Sequence, residues 1–240
     1  MDKIKFSRKL KEEAENISIE LNEKQLEAFY DYMKLLIEWN EKINLTAIVD
    51  PEEIITKHFV DSLTALKYIE ESNSVVDIGT GAGFPGIPIK IANRNINMTL
   101  VDSLNKRINF LNEVISKNDL VNIEAIHCRA EEFGKNIKYR EKYDIAISRA
   151  VARLNVLVEY LLPTIKVGGK CICMKGPDSE EEVNEAEKAI EILGGKLEKI
   201  ECFVLPGTDI KRSIIIINKI KNTPNQYPRK AGMPAKNPIK

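Results

Sequence analysis

The chain has 240 residues, of which 43% are hydrophobic and 30% are charged, and its 36 Lys and Arg balance its 36 Asp and Glu. This length allows one well-buried core with a helical extension, and it excludes two large catalytic domains. A neutral total does not exclude a nucleic-acid partner, because such a partner needs charge clustered on one surface rather than a net excess.

The sequence carries no targeting or metal-binding signal. No run approaches the roughly 20 apolar residues of a membrane span, and the first 20 residues contain no apolar core of a secretory signal. The four cysteines form no C-x-x-C pair and the two histidines lie far apart, so no metal site is expected. These features predict a cytosolic protein with reduced thiols, without contact to a membrane.

Two helical patterns open the chain. Apolar residues recur at helical spacing over residues 26–37, and Asn22 with Gln25 has the form of a capping box. A second helix is predicted from residues 50–53 (Asp-Pro-Glu-Glu), with Asp at the N-cap and Pro at the first helical position. Residues 1–70 are therefore predicted to form an N-terminal helical extension.

From residue 71 onward, short apolar runs of strand type alternate with helical segments, which predicts βαβ units and a sheet covered by helices on both faces. The last two runs are too close for a crossover helix, so they are predicted to pair antiparallel. The predicted fold class is α/β, with a seven-stranded, mostly parallel sheet containing one antiparallel strand; it resembles the Rossmann-like sheet of class I methyltransferases. The runs span residues 75–78, 98–101, 123–127, 145–148, 170–174, 197–205 and 213–217.

The first strand runs into a glycine-rich loop, residues 77–83 (Asp-Ile-Gly-Thr-Gly-Ala-Gly), that precedes a helix. Glycines here let a ligand approach backbone N–H groups at the helix start. Read from Gly81, the loop matches the dinucleotide fingerprint; read from Asp77, it resembles methyltransferase motif I, and in both frames Asp102 would hold a ribose. In the second frame the Asp77 carboxylate would lie near a cationic amino acid moiety and would repel a pyrophosphate.

Three later features favour S-adenosylmethionine as the cofactor. Ala130 and Glu131 follow the third strand, where methyltransferases commonly border the adenine with an acidic or polar residue. The fourth strand ends in residues 148–150 (Ser-Arg-Ala), at the sheet edge where ligands of open α/β sheets bind. The predicted terminal hairpin is foreign to dinucleotide-binding folds.

Taken together, the motifs resemble the ribosomal RNA small subunit methyltransferase G family, also called glucose-inhibited division protein B. The resemblance implies methylation of guanine N7 in 16S rRNA, with S-adenosylmethionine as cofactor and 16S rRNA or the small ribosomal subunit as partner. It covers nearly the whole chain, through residues 39–46, 58–63, 77–88, 102–107, 148–150, 175–176 and 227–232. It implies that Gly79, Phe84, Ala130, Glu131 and Arg149 line the cofactor pocket; Asp77 and Asp102 join them from the motif argument, with Gly81, Gly83 and Ser103 beside them.

This chemistry needs no general base, because N7 carries an in-plane lone pair that can attack a sulfonium methyl without losing a proton. Catalysis then consists of holding the reacting atoms in line, about 3 to 3.5 Å apart, and excluding water. Arg149 and Lys175 are predicted to position the target, although either could instead belong to an ion pair. Cys171 and Cys173 alternate within a strand and are interpreted as sheet residues, not as nucleophiles.

The predicted domains are the extension (1–70), a methyltransferase domain (71–220) and a C-terminal tail (221–240). The tail is basic and proline-rich, and it is predicted to be extended. Arg229, Lys230 and Lys236, together with Lys175, are expected to contact RNA phosphates; a disordered solubilising tail is the alternative.

Three other functions remain compatible with the sequence. They are methylation of a small molecule or protein, cofactor-dependent RNA binding without turnover, and hydride transfer by a dehydrogenase. The sequence does not distinguish free rRNA, an assembling subunit and the finished subunit as substrates. A monomer is expected, although no residue pattern decides the oligomeric state.

Overall fold

A helical layer forms the N-terminal part of the computed structural model, which describes residues 1–71 and 73–240. Ser72, within the predicted methyltransferase domain, lies outside the described residues. The layer consists of α1 (Lys3–Glu15), α2 (Glu23–Ile43) and a composite helix in which α3 (Pro51–Ile54) continues through a π-helical turn (Ile55–Val60) into α4 (Asp61–Leu63).

Both predicted helix starts are confirmed. The Gln25 N–H donates to the Asn22 side chain at 3.0 Å and the Asn22 N–H donates to the Gln25 side chain at 2.8 Å, which completes the capping box of α2. The Asp50 carboxylate caps α3 by accepting from the N–H groups of residues 52 and 53. Helix α2 runs past Trp39 and ends only where Asn44 adopts a left-handed conformation, with φ of 48°.

One mixed sheet forms the centre of the molecule. Its strands are β1 (Ser74–Ile78), β2 (Asn97–Asp102), β3 (Ile123–His127), β4 (Tyr143–Arg149), β5 (Ile165–Lys175), β6 (Gly195–Val204) and β7 (Lys211–Lys219). They lie in the order β3-β2-β1-β4-β5-β7-β6; β7 runs antiparallel to both β5 and β6, and the other neighbouring pairs are parallel. The predicted fold class is confirmed. The strand order reverses between β1 and β4, the switch point where open α/β sheets bind ligands.

Helices cover both faces of the sheet because successive strand residues point to opposite sides. In β1, Val75 belongs to a core that includes α1 and α2, whereas Val76 belongs to a second core on the other face. Cys171 and Cys173 are buried in the second core, as their alternation predicted. Among the helices that follow β1, α5 (Gly86–Ala92) and α6 (Asn105–Lys117) lie on the first face. Helices α7 (Ala130–Lys135), α8 (Leu154–Leu161) and α9 (Ser179–Ile192) lie on the second.

The C-terminal segment is folded rather than extended, which corrects the expectation from its composition. It includes a short helix, α10 (Met233–Lys236), in which Pro234 is buried. Ile239 is buried in the second core, and buried Pro228 packs beside Gly134 of α7. Arg140 donates to backbone carbonyls of the segment at residues 223, 224 and 227. A count of charges and prolines misses these contacts, because they use backbone carbonyls and a few apolar side chains.

Candidate cofactor and substrate site

The glycine-rich loop between β1 and α5 requires glycine at specific positions. Gly79, Gly81 and Gly83 have positive φ, at 73°, 62° and 98°. The Gly79 N–H donates to the carbonyl of Val101 at the end of β2, at 2.8 Å, which holds the loop against the neighbouring strand. A Cβ at Gly79 would lie 2.6 Å from the Val151 side chain, whereas one at Gly81 would meet open space.

Tyr32 of α2 supports this loop from the N-terminal layer. It is completely buried, and its hydroxyl donates to the carbonyl of Ala82 within the loop. Its ring lies 5.6 Å from that of Phe84 and 5.3 Å from that of Phe59. A Cβ at Gly83 would approach the Tyr32 hydroxyl to 2.7 Å. Burial raises the pKa of Tyr32 well above its usual value, so the group remains a neutral donor.

Asp77 lies completely buried beneath the loop at the end of β1. Its Oδ2 accepts from the Thr80 hydroxyl at 2.7 Å and from the Gly86 N–H at 2.9 Å. Its Oδ1 is buried and has no hydrogen-bond partner among the described residues. Burial raises the pKa of Asp77 to about 7, against the opposing influence of these two donors and of Arg149. A cationic donor is the group that would complete this carboxylate.

A cavity of about 320 Å³, here the loop cavity, lies at the carboxyl ends of β1, β2 and β3. Asp102 lines it and is held by the N–H groups of Gly81 (3.0 Å) and Leu104 (2.9 Å) and by Arg107 at 3.2 Å. The predicted cofactor residues that line this cavity are Gly79, Asp102, Ser103, Ala130 and Glu131. Of the other predicted cofactor residues, Gly81, Gly83 and Phe84 lie in the glycine-rich loop and Asp77 lies beneath it. Arg149 lies instead at the end of β4, beside a second cavity.

A second cavity, of about 550 Å³, lies beside the carboxyl ends of β4 and β5 and is here called the arginine cavity. Val151 lines both cavities, so they adjoin at the switch point between β1 and β4. The charged and polar side chains around the arginine cavity are Lys57, His58, Asp61, Arg149, Arg153, Lys175, Glu182, Arg212 and Ser213. The N-terminal composite helix therefore supplies one wall of the arginine cavity.

Asp61 of the composite helix holds Arg149, which lies at the end of β4. The Asp61 carboxylate is buried and accepts from Arg149 at 3.0 Å and from Arg212 at 3.1 Å. Arg149 also donates to the carbonyl of Lys57 at 3.2 Å, and its guanidinium lies 5.0 Å from the centre of the Phe84 ring. Burial lowers the pKa of Arg149 and Asp61 opposes that effect. One carboxylate thus orients two guanidinium groups at the cavity.

His58 is a neutral hydrogen-bonding residue in this arrangement. Its ring stacks on Phe84 at 4.4 Å between ring centres. Burial, followed by the charge of Arg149, lowers the pKa of His58 to about 3. Because Arg149 can only donate, it makes Nδ1 the acceptor at 3.2 Å, so Nε2 carries the hydrogen and donates to the Thr46 hydroxyl at 2.9 Å.

Lys175 reaches the arginine cavity from the end of β5 but is largely buried. Its Nζ is 2.7 Å from the Glu182 carboxylate, which also accepts from the Leu154 N–H at 2.7 Å. The Lys175 ammonium also donates to the carbonyl of Ala152. The ion pair that the sequence left open as an alternative is therefore present.

The predicted RNA-binding residues of the tail divide into two kinds. Lys230 and Lys236 are exposed. Arg229 is instead tied to Glu159, a completely buried carboxylate of α8, at 2.6 Å. Its guanidinium therefore neutralises a buried charge, and its contact with RNA stays a prediction.

Sequence reasoning missed the partners that hold the predicted residues. Asp61 lies in the segment 58–63 that carried the family resemblance, and Arg212 directly precedes the last apolar run. The sequence positions of Asp61 and Arg212 therefore marked both residues as candidates, but nothing in the sequence predicted that they form an ion pair. Glu182 belongs to a run of acidic residues that is typical of a solvated helix face. Tyr32 lies within the predicted helix α2, but the helical spacing does not show that its hydroxyl supports the glycine-rich loop.

Neither a membrane-spanning helix nor a metal cluster is found in residues 1–71 and 73–240. None of the helices there is long and apolar enough to cross a membrane. Within the same ranges, no three His, Cys, Asp or Glu side chains are grouped closely enough to hold a metal ion.

Known proteins resemble this chain over almost its full length. Ribosomal RNA small subunit methyltransferase G of Desulforamulus reducens is 59% identical, over 96% of this chain and 97% of its own. The protein of the same name from Acetivibrio thermocellus is 53% identical, over 98% of each chain. The fold also resembles M. jannaschii TYW2, solved in complex with AdoMet, with a TM-score of 0.53 and 18% identity over 68% of this chain and 76% of that chain.

The family model described as rRNA small subunit methyltransferase G (GidB) matches residues 25–215. That range includes the glycine-rich loop, the whole lining of the arginine cavity and the ion pairs of Asp61. It stops before the C-terminal segment, which supplies Gly232 and Ala235 to the loop cavity. Together with the relatives that match over the full length, this match assigns the chain to a family. The chain belongs to the rRNA small subunit methyltransferase G family.

Proposed function

We propose that the protein transfers a methyl group from S-adenosylmethionine to N7 of a guanine in 16S rRNA. The observation that carries this proposal is the pair of adjoining cavities at the switch point of the sheet. One is bordered by the glycine-rich loop and carboxylates, and the other is bordered by arginine and lysine side chains. Relatives named ribosomal RNA small subunit methyltransferase G, with 50% identity and more, support the same substrate class.

The loop cavity suits the adenosine half of S-adenosylmethionine. Asp102, at the end of β2, would hold the ribose hydroxyls, and Ala130 and Glu131 would border the adenine. The unpartnered Oδ1 of Asp77 suits the ammonium group of the methionine half. The loop glycines allow close approach of the ligand. When bound, this cofactor supplies a methyl group on a positively charged sulfur.

The arginine cavity suits the target guanine. His58 and Arg149 line this cavity and both lie against the buried Phe84 ring, so they would offer planar side chains to a base. Lys175 and Glu182 line the same cavity as an ion pair, so they would position the base without adding net charge. The low pKa of His58 makes it a poor proton acceptor, which agrees with a nucleophile that has no proton to lose. In this proposal these residues position the base and exclude water.

Exposed Lys230 and Lys236 would contact RNA phosphates outside the cavities. An rRNA substrate implies a cytosolic enzyme. One chain builds both cavities, so we propose that the monomer is the active form.

Methyl transfer to isolated small ribosomal subunits tests this function directly. Subunits from a strain that lacks the gene would be incubated with the protein and methyl-labelled S-adenosylmethionine, and the modified nucleotide would be mapped. Label at N7 of one 16S guanine is expected. Cofactor binding without label on subunits or free rRNA would instead favour a small-molecule methyltransferase or a binding protein without turnover.

An Arg149→Ala variant and a Glu53→Gln variant form a matched pair for the same assay. Arg149 lines the arginine cavity, whereas Glu53 is exposed on the composite helix, lines neither cavity and pairs with Lys57. Loss of transfer in the first variant, with transfer retained in the second, is expected. Equal transfer by both variants would argue against a target base in the arginine cavity.

A further inference from the structure

The C-terminal segment, residues 221–240, contributes directly to the loop cavity. Gly232 and Ala235 line that cavity together with Asp102 and Glu131. The Gly232 N–H donates to Oε1 of Glu131 at 2.7 Å, from a left-handed conformation with φ of 80°. The segment therefore touches the carboxylate that the proposed function assigns to the adenine.

A buried ion pair fixes the position of this segment three residues earlier. Glu159 is completely buried on α8, and both of its carboxylate oxygens accept from Arg229. The Arg229 backbone N–H donates to the same carboxylate at 2.7 Å. A carboxylate buried to this extent needs a partner, because an unpaired buried charge is strongly destabilising. Arg229 and Glu159 thus hold the chain beside the cavity.

The path of the segment before Arg229 is also fixed. Arg140 donates at 2.7 Å to carbonyls at residues 223 and 227, and the Thr223 N–H donates to Glu141 at 2.8 Å. Pro228 packs against Gly134 of α7, where a Cβ would lie 3.1 Å from the proline ring. Such anchoring exceeds what a solubilising tail needs. It suits a segment that completes a binding site.

We propose that Arg229 and Glu159 are positioning residues for S-adenosylmethionine. Their ion pair holds Gly232 and Ala235 as a wall around the adenosine half of the cofactor, and Gly232 fixes the orientation of the Glu131 carboxylate. The inference rests on the proposed function, because it takes the loop cavity as the cofactor site.

The affinities of the full-length protein for S-adenosylmethionine and for adenosine, measured by calorimetry without RNA, test this role. Glu159→Gln removes the charge that holds Arg229, and we expect both dissociation constants to rise about tenfold or more. Arg229→Lys keeps the charge but loses the forked geometry, so it should retain part of the affinity. Gln226→Ala, at an exposed position of the same segment, should leave both constants unchanged.

A second pair of variants keeps the inference testable if Glu159→Gln unfolds. Ala235 is exposed and lines the loop cavity, whereas Ala231 is exposed and does not line it. Ala235→Phe should narrow the cavity and weaken adenosine binding at least tenfold, whereas Ala231→Phe should bind adenosine like the wild type. Both variants should melt at the wild-type temperature when no ligand is present.

The outcomes separate this inference from the proposed function. Wild-type affinity in both Glu159→Gln and Ala235→Phe would overturn the positioning role while leaving S-adenosylmethionine as the cofactor. Failure of the wild-type protein itself to bind S-adenosylmethionine would overturn the cofactor assignment, and the inference with it.

Discussion

At the scale of single residues, Asp77 links cofactor binding to pH. Burial raises its pKa to about 7, so below that pH the free protein holds a proton on this carboxyl. An ammonium group needs the ionised form, so cofactor binding should release that proton. We expect the affinity for S-adenosylmethionine to fall by up to about tenfold for each pH unit below 7 and to level off above it.

Calorimetry from pH 5.5 to 7.5 measures this slope. Asp77→Asn keeps the shape of the side chain but does not titrate, so its weaker binding should be independent of pH, and Asp77→Ala should abolish binding. The same slope in Asp77→Asn would assign the proton to another group. The raised pKa also means that the folded state retains this proton between the usual Asp pKa and about 7, so the stability of the free protein should decline as the pH rises through that range.

The loop glycines allow a second residue-scale prediction, because two of them share a left-handed backbone but differ in their surroundings. Gly81→Ala should cost only the free energy of holding a non-glycine residue in a left-handed conformation, about 1 kcal/mol, because a Cβ there contacts nothing. Alanine at Gly79 also meets Val151, at 2.6 Å. Urea unfolding should therefore show a larger loss of stability for Gly79→Ala, and Val151→Ala should recover part of it. Equal losses for both glycine variants would mean that Val151 moves aside without cost.

At the scale of elements, local sequence patterns predicted most of the fold. The caps of α2 and α3 and the seven strands carry their signals within a few residues, so they could be found without tertiary information. The bounds of helix α1 could not, because only Phe6, Leu10 and Ala14 of this largely polar segment are buried. The path of the C-terminal segment could not be predicted either, because it depends on contacts with residues far away in the sequence, such as Arg140 and Glu159.

The candidate site likewise combines residues that local sequence patterns predict with ion pairs that they do not predict. The positions of Asp102 and Glu131 follow from the ends of strands, a local feature. The pairs that Asp61 makes with Arg149, and that Glu159 makes with Arg229, join residues 88 and 70 positions apart, respectively. No spacing rule predicts such a pair, because it depends on how the N-terminal helices and the C-terminal segment pack on the sheet.

The composite helix is expected to act mainly through Asp61. Asp61→Asn removes the charge that holds Arg149 and Arg212, and breaking such a buried pair typically costs about 3 kcal/mol of folding free energy. Methyl transfer should fall sharply while the affinity for S-adenosylmethionine changes little, because Asp61 does not line the loop cavity. Urea unfolding, calorimetry and the transfer assay measure the three quantities.

Glu53→Gln is the control on the same helix. It breaks an exposed pair with Lys57, so it should cost less than about 1 kcal/mol and leave transfer intact. Parallel losses of cofactor affinity and transfer in Asp61→Asn would contradict the assignment of this helix to the substrate cavity.

At the scale of the whole molecule, the segments added at the two ends of the sheet domain complete different cavities. The N-terminal composite helix forms a wall of the arginine cavity, and the C-terminal segment forms a wall of the loop cavity. The two cavities meet at Val151, beside the switch point of the sheet. The arrangement separates contacts to the target base from contacts to the cofactor, although both are built by one chain.

This separation predicts different effects for neighbouring cations of the C-terminal segment. Lys230 and Lys236 are exposed, so replacing both with Ala should remove phosphate contacts without moving the wall that Arg229 anchors. A plot of the logarithm of RNA affinity against the logarithm of salt concentration should become shallower by about 1.4, or roughly 0.7 for each lost contact to single-stranded RNA. Affinity for S-adenosylmethionine without RNA should match the wild type, whereas Arg229→Ala should weaken it. An unchanged salt slope in the double variant would remove these lysines from the RNA interface, and a matching loss of cofactor affinity would show that the segment acts as one unit.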